Sequence, residues 1–496
     1  MIQLRKISFV KFFPSLLLSI LFFLITITLF YFYTRGFIPH DEGWILSPAE
    51  RITQGDIPFR DFHFIYFPGV AYVIAFVFKL FGVSIIVSRY VTMLVALLTV
   101  VILYKISQII SKYHYSYILP VLIYISWGPT HINFAWPVIY AIWSGLLTCL
   151  LLFVSQQKKK IYLYFLAGIT TGATLLFKQN FGVALLLNTV IFFTFDKSSR
   201  KKEYFLSYIV GTLFFPLALC IYFYFTNALV PFYNDMNYFM LQEIILRGHQ
   251  VTPFIYPDVW YRQILKTVFY LLPVLVSLAA SVLAYKKNKK ILFLASFTGM
   301  YYLIGIRPTT DIVHLEPLLS LIGLPLVMIL TTTKNSSIKI LCFVLFLCMF
   351  CLGMYTAVFR NYYRWDTPLI KQTYYTNNPR LGVLTDQGYH ITISQIDDYI
   401  EKHHQPNNFM FIDSFSPSFY LLTNKVNPTK FIFFPPQLLS LEDQKEIIHD
   451  LTVKKVPLIM ADSVIFTDHT LLSRFIINHY YLDKRIAGFL LMQKKQ

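Results

Sequence analysis

Charge is scarce in this chain, and negative charge is scarcest. Of 496 residues only 14% are charged, with 25 Asp and Glu against 43 Lys and Arg; soluble domains carry about a quarter. So little charge excludes a disordered polyelectrolyte and an ordinary soluble globule. Glycine numbers only 19, which excludes a collagen-like repeat. The five cysteines, Cys149, Cys220, Cys342, Cys348 and Cys351, all fall inside apolar runs. A disulfide framework and a CxxC metal site are thereby excluded, and these thiols read as small packing residues. Neither a GxGxxG run nor a Walker loop occurs, which argues against a nucleotide site. What is abundant is apolar surface: 56% of residues are hydrophobic and mean hydropathy is +0.56. The composition predicts a polytopic membrane protein.

The charges are segregated. Residues 1–359 hold 28 basic against 12 acidic residues, and residues 360–496 hold 15 against 13. Residues 12–33 are an uncharged run of 22, about 33 Å as a helix, enough for a bilayer core of about 30 Å. Arg5, Lys6 and Lys11 precede it and are expected in the cytoplasm. Placing Lys112, Lys158–Lys160, Lys197 to Lys202, Lys286 to Lys290, Lys334 and Lys339 on the same side gives eleven spans. They fall near 12–33, 86–108, 117–129, 138–154, 161–177, 181–195, 204–226, 264–285, 291–306, 313–331 and 338–358. The odd number puts the tail outside. Of the 12 front-half acids only Asp196 and Glu203 then fall inside; nine fall in outside loops and Glu316 falls in the outer part of the span 313–331. Residues 68–82 are too short to cross and are expected to lie on the outer surface or re-enter.

The first outside loop, 34–67, concentrates five acids in 21 residues: Asp41, Glu42, Glu50, Asp56 and Asp61. Asp41 and Glu42 follow the first span closely, so they sit at the membrane surface. Acids there require a cation, a metal or a chemical task. Ser47-x-x-Glu50 reads as a capping box opening a short helix, and Gly55-Asp56 as a turn. After residue 360 the pattern alternates helix-like and strand-like segments: 395–403, 409–413, 440–451 and 456–462. A small α/β domain of about 130 residues is expected there.

With the order helix, Asp-Glu, short helix, "IPFRDFHF", Pro-Gly, then "FKLFGVSIIVSRY", the chain resembles the GT-C fold membrane glycosyltransferases. The resemblance is to the glycosyltransferase family 39-like branch of protein O-mannosyltransferases and lipid A aminoarabinose transferases. "LLFKQN" (175–180), "IRPTTDIVHLEPLL" (306–319) and "SFYLLTNKVNPTKF" (418–431) resemble further segments of that family in the same order. The resemblance implies a mainly α GT-C module over 1–359, with a catalytic first outside loop, and an extracytoplasmic α/β domain over 360–496. It implies transfer of a hexose or pentose from a polyprenyl-phosphate-linked donor to a lipid, protein or polysaccharide acceptor, at the outer face of the cytoplasmic (inner) membrane.

In that reading Asp41 is the base, Glu42 orients the acceptor or a water, and Asp61 is a second candidate beside Arg60. Lys178, Arg307 and His314 are expected to hold the donor phosphate, because a leaving phosphate needs cations rather than an acid. His131, Asn133, Arg247 and His249 are candidate acceptor or sugar contacts. The branch often carries an acid in an "RPD" step of its second outside loop; here 131–140 reads HINFAWPVIY and has none. No metal ligand is therefore assigned and no cofactor is expected to be essential, while a divalent metal stays open. No nucleic-acid partner is expected despite the net charge of +18, since the basic residues punctuate membrane spans. Two other readings fit the sequence: a transporter or flippase of a lipid-linked sugar, which would place ionisable groups mid-span, and a non-catalytic subunit of the same fold.

Overall fold

The computed structural model describes residues 9–195, 198–247, 260–285, 288–305, 312–360, 367–403, 408–413, 416–432, 439–467 and 469–495. Helices dominate. The front part runs α1 (Phe9–Tyr33), α2 (Gly43–Gln54), α3 (Gly69–Phe81), α4 (Ile85–Ile110), α5 (Leu119–Trp127), α6 (Pro137–Lys158), α7 (Ile161–Phe177) and α8 (Gln179–Thr194). It continues with α9 (Lys201–Phe225), α10 (Leu229–Arg247), α11 (Trp260–Ala284), α12 (Lys289–Gly305), α13 (Ile312–Leu319), α14 (Gly323–Thr332) and α15 (Ser336–Phe359).

All eleven segments expected to span are helical, but not equally. Among the described residues, five stretches are long and apolar enough to cross a membrane: α4, α6, α9, Val313–Thr332 and α15. The Val313–Thr332 stretch joins α13 to α14 through a 3-10 turn at Ser320–Ile322. The segment expected at 117–129 differs most. It is a 3-10 turn at His114–Tyr117 followed by the nine-residue α5, about 13 Å long, too short to cross alone. Pro120 and Gly128 bracket it, which shortens the helix at both ends. Helix α3 has 13 residues and is likewise shorter than a bilayer core.

Burial sorts the helices. The Val313–Thr332 window is 94% buried, whereas α15 is 22% and α9 28% buried. The first therefore forms the centre, and the others present rows such as Leu341, Val344 and Leu347, or Leu206, Leu213 and Phe225, outward. Exposed apolar rows are what a lipid-facing surface demands. Helices α7 and α9 approach to backbone contact: a Cβ added to Gly168 would overlap the Tyr208 carbonyl, and one added to Gly211 the Phe165 carbonyl. Small residues permit this close packing where apolar lipid offers no hydrophobic drive between helices.

The tail contains α16 (Gln387–Lys402), α17 (Ser418–Thr423), α18 (Leu441–Val453) and α19 (Leu471–His479), with β1 (Met410–Asp413), β2 (Leu458–Asp462), β3 (Tyr480–Ile486) and β4 (Phe489–Lys494). The sheet order is β1-β2-β4-β3; β1 and β2 run parallel, and the other pairs antiparallel. The capping box at Ser440 and Asp443 forms as its spacing requires. The hairpin β3–β4 and helices α17 and α19 are additions to the expected elements.

Alternation along the strands divides the interior. Met410, Ile412, Leu458, Met460 and Leu491 join the core shared with the membrane helices. Phe411, Ile459, Ala461, Leu490 and Met492 pack with α18 and α19 in a second core. Successive strand side chains point to opposite faces, so one sheet serves both. The tail is thus fastened to the helical part through its own hydrophobic face.

Candidate functional site

The loop between α1 and α2 is held rigidly. Arg89, one turn inside α4, donates from Nε and Nη2 to the two carboxylate oxygens of Glu42 at 2.6 and 2.8 Å, and to the carbonyls of Arg35 and Gly36 at 3.0 Å each. Both side chains of the pair are fully buried. Asn133 Nδ2 donates to the carbonyls of Phe32 and Arg35, clamping the same turn from the second loop. Leu384 pairs with Arg35 from the tail: its N–H donates to Thr34 and its carbonyl accepts from Gly36.

Asp41 sits on this staple. It precedes α2 and is partly exposed, with Oδ2 4.0 Å from His40 Nε2. Gly43 follows, buried against α17; a Cβ there would overlap the backbone nitrogen of Ser418. The first turn of α2 brings Trp44 next, its N–H bonded to the His40 carbonyl.

From Trp44 a chain of rings leads to Lys178 and His314. The Trp44 and Tyr66 rings lie 6.1 Å apart, and Lys178 Nζ stands 5.6 Å above the Tyr66 ring. Tyr66 meets Trp136 at 6.3 Å, and Trp136 meets His314 at 6.0 Å. Lys178 is placed by an extended backbone, φ −156°, that separates α7 from α8. His314 projects from the buried helix α13. Four distant segments therefore bring one lysine and one histidine to an aromatic wall, and Asp41 stands three residues before the first of its rings.

Several expected site residues take other roles. Glu42 has both oxygens on Arg89 and no exposed surface, so it anchors the loop instead of orienting an acceptor. Asp61 accepts twice from Arg60 and once from the Ile57 N–H. The Arg60 hydrogen bond holds its carboxyl below the usual range despite some desolvation; this is a turn-closing ion pair. His131 lies against Trp127 and hydrogen-bonds Thr356. Burial, aided by Arg360, pushes its pKa down to about 3, leaving a neutral packing histidine. Asn133 is fully buried in its clamp. The capping box expected at Ser47 does not form: α2 begins at Gly43, and Glu50 instead pairs with Arg380 of the tail at 2.5 Å. Gly55 caps α2 in the left-handed region, as its turn position predicts. Arg247 closes α10. Arg307 and His249 lie outside the described residues.

Three positions escaped sequence reasoning. Arg89 was readable, since a charge inside an apolar helix demands a buried partner. Trp136 was noted only as lacking an acid. His63 was not singled out; its Nδ1 lies 2.9 Å from Asp235 Oδ1 on α10, and its ring meets Phe431 of the tail. Among the described residues no group of three His, Cys, Asp or Glu is arranged to hold a metal ion.

A helical membrane part with a re-packed first loop and a fastened α/β tail is the GT-C architecture, and this chain is a multi-pass membrane protein of that fold. The chain is similar in structure to ArnT from Cupriavidus metallidurans bound to undecaprenyl phosphate, with a TM-score of 0.60 and 12% identity over 96% of this chain and 97% of that one. It is similar to the apo state of the same protein, with a TM-score of 0.57 and 12% identity over 97% and 98% of the two chains. No family model and no curated protein sequence matches the chain.

Proposed function

We propose that the chain is a glycosyltransferase that moves a hexose or pentose from a polyprenyl-phosphate-linked donor to a hydroxyl or amine acceptor. The observation that carries this reading is the meeting of Lys178 and His314 with the ring series Trp44, Tyr66 and Trp136, with Asp41 three residues before Trp44, on a fold similar to one solved with undecaprenyl phosphate. In the reaction the acceptor oxygen or nitrogen attacks the anomeric carbon. The bond from that carbon to the phosphate oxygen breaks, and its electron pair leaves with the lipid phosphate. Asp41 takes the acceptor's proton, and Lys178 and His314 stabilise the departing anion. The Glu42–Arg89 staple holds Asp41 in place by fixing its neighbour. Tyr66 and Trp44 offer flat faces for a sugar ring.

The basic clusters support an N-terminus inside, with the tail and first loop on the outer face of the cytoplasmic membrane. The acceptor is a lipid, a protein or a polysaccharide. The missing acid in 131–140 supports transfer without an essential divalent metal.

The test uses purified protein with a panel of radiolabelled polyprenyl-phospho-sugars, scored for release of polyprenyl phosphate. Turnover of one donor is expected. Asp41→Asn is expected to lower it by about 10²–10⁴-fold, and excess chelator to leave it unchanged. Full-rate release by Asp41→Asn refutes the assignment of the base.

A further inference from the structure

Trp136 is 3% exposed, yet its indole nitrogen meets no acceptor among the described residues. A buried indole N–H normally finds one, because leaving it unmade costs more than the bond nets. The ring is not loosely placed. Pro137 opens α6 immediately after it, its own N–H donates to the Phe134 carbonyl at 2.6 Å, and the Asn133 clamp fixes the loop. Phe134, Tyr66 and His314 surround the ring at 5.6, 6.3 and 6.0 Å. An unsatisfied neutral donor thus stands in the wall that Lys178 and His314 share. The Lys178 ammonium nearby favours an anionic oxygen, to which hydrogen bonds are short and strong.

We infer that Trp136 is a donor-binding residue whose indole N–H donates to a phosphate oxygen of the lipid-linked sugar, between Lys178 and His314. This rests on the function proposed above and adds a residue to it. The donor is set before the ligand arrives, so little reorganisation accompanies binding.

Binding of undecaprenyl phosphate, with undecaprenol as the phosphate-free control, is measured on detergent-purified full-length protein. Trp136→Phe keeps a ring and removes the N–H. It is expected to weaken undecaprenyl phosphate about tenfold, the loss of one hydrogen bond to a charged group, with the melting temperature retained. In parallel, fluorotryptophan labelling gives one fluorine NMR resonance for each of the six tryptophans, and the one absent from Trp136→Phe is Trp136. That resonance is expected to move on adding undecaprenyl phosphate and to stay still with undecaprenol. If Trp136→Phe does not fold, the Trp136 resonance is assigned by elimination from single Phe substitutions of the other five tryptophans, and its response in wild type decides. Undiminished binding by Trp136→Phe, or a resonance that ignores the phosphate while wild type binds it, overturns the role of Trp136 and leaves the proposed function standing. Failure of wild type to bind undecaprenyl phosphate overturns the proposed function itself, and this inference with it.

Discussion

Replacing Arg89 with methionine should do more damage than any other single change near the site, and its size follows from the geometry. The guanidinium satisfies two carboxylate oxygens and two carbonyls, all away from water. Arg89→Met leaves Glu42 as an uncompensated buried charge, which costs about 3–5 kcal/mol. For a chain this long, about 2 °C of melting temperature per kcal/mol is a reasonable scale, so thermal unfolding in detergent should drop by roughly 6–10 °C. The double variant Glu42→Leu/Arg89→Met removes the stranded charge and should recover much of the loss, because exchanging a buried pair for apolar groups is often nearly neutral. Recovery should stop short of wild type. The carbonyls of Arg35 and Gly36 still lose their donor, at about 1–3 kcal/mol for each one left buried and unsatisfied. Transfer should remain low even where stability returns, since the turn before Asp41 has lost its staple. A single variant that melts within about 1 °C of wild type, or a double variant no better than the single, refutes the reasoning.

Arg380→Ala removes the partner of Glu50. The pair is incompletely buried, with Arg380 22% exposed, so about 2–3 kcal/mol is expected, at or below the low end for breaking a buried pair. Burial already raises the Glu50 pKa, and Arg380 opposes that rise. A raised carboxyl favours the folded state below its unfolded pKa and loses that advantage as pH climbs through the folded value. Without Arg380 the folded value climbs further, so the stability gap between variant and wild type should narrow as pH falls; a gap that widens on acidification contradicts this. Gly43→Ala pushes a methyl into the Ser418 backbone nitrogen, and should cost about 1–3 kcal/mol as an overpacked site. Transfer by that variant should fall together with stability in a combined melting and turnover measurement.

Much of the helical part was legible because periodicity and charge placement answer to the bilayer, which tolerates few alternatives. All eleven expected segments are helical. The shortness of α5 was harder to read, since apolar length alone cannot distinguish a crossing helix from a buried one. Within the site, Asp41 and Lys178 were legible as charges at the ends of apolar runs. The second role of Glu42 was not, because adjacent acids carry no mark of which one faces the interior. Ser47 misled because a capping-box spacing is also an ordinary helical spacing; Glu50 was taken up by Arg380, 330 residues away. Long-range pairing of that kind leaves no local pattern.

The tail's placement bears on why a transferase would need it. Leu384 pairs beside Arg35, Ser418 donates to the Pro39 carbonyl, and Thr429 and Lys430 offer carbonyls to Arg51 and His63. Each contact lands on the segment between α1 and α3, which carries Asp41. That segment buries Phe37, Leu46, Phe59 and Phe62 in the core that the tail shares, so its packing and its polar contacts both lean on the tail. Arg89 and Asn133 hold its start from the membrane side, and the tail holds its middle through Glu50, Arg51 and His63. The sheet face shared with the membrane core keeps the tail itself from swinging away. The α/β part is therefore the other jaw of a clamp on the loop proposed to be catalytic, and severing it should reduce turnover even though it supplies neither Asp41 nor Lys178.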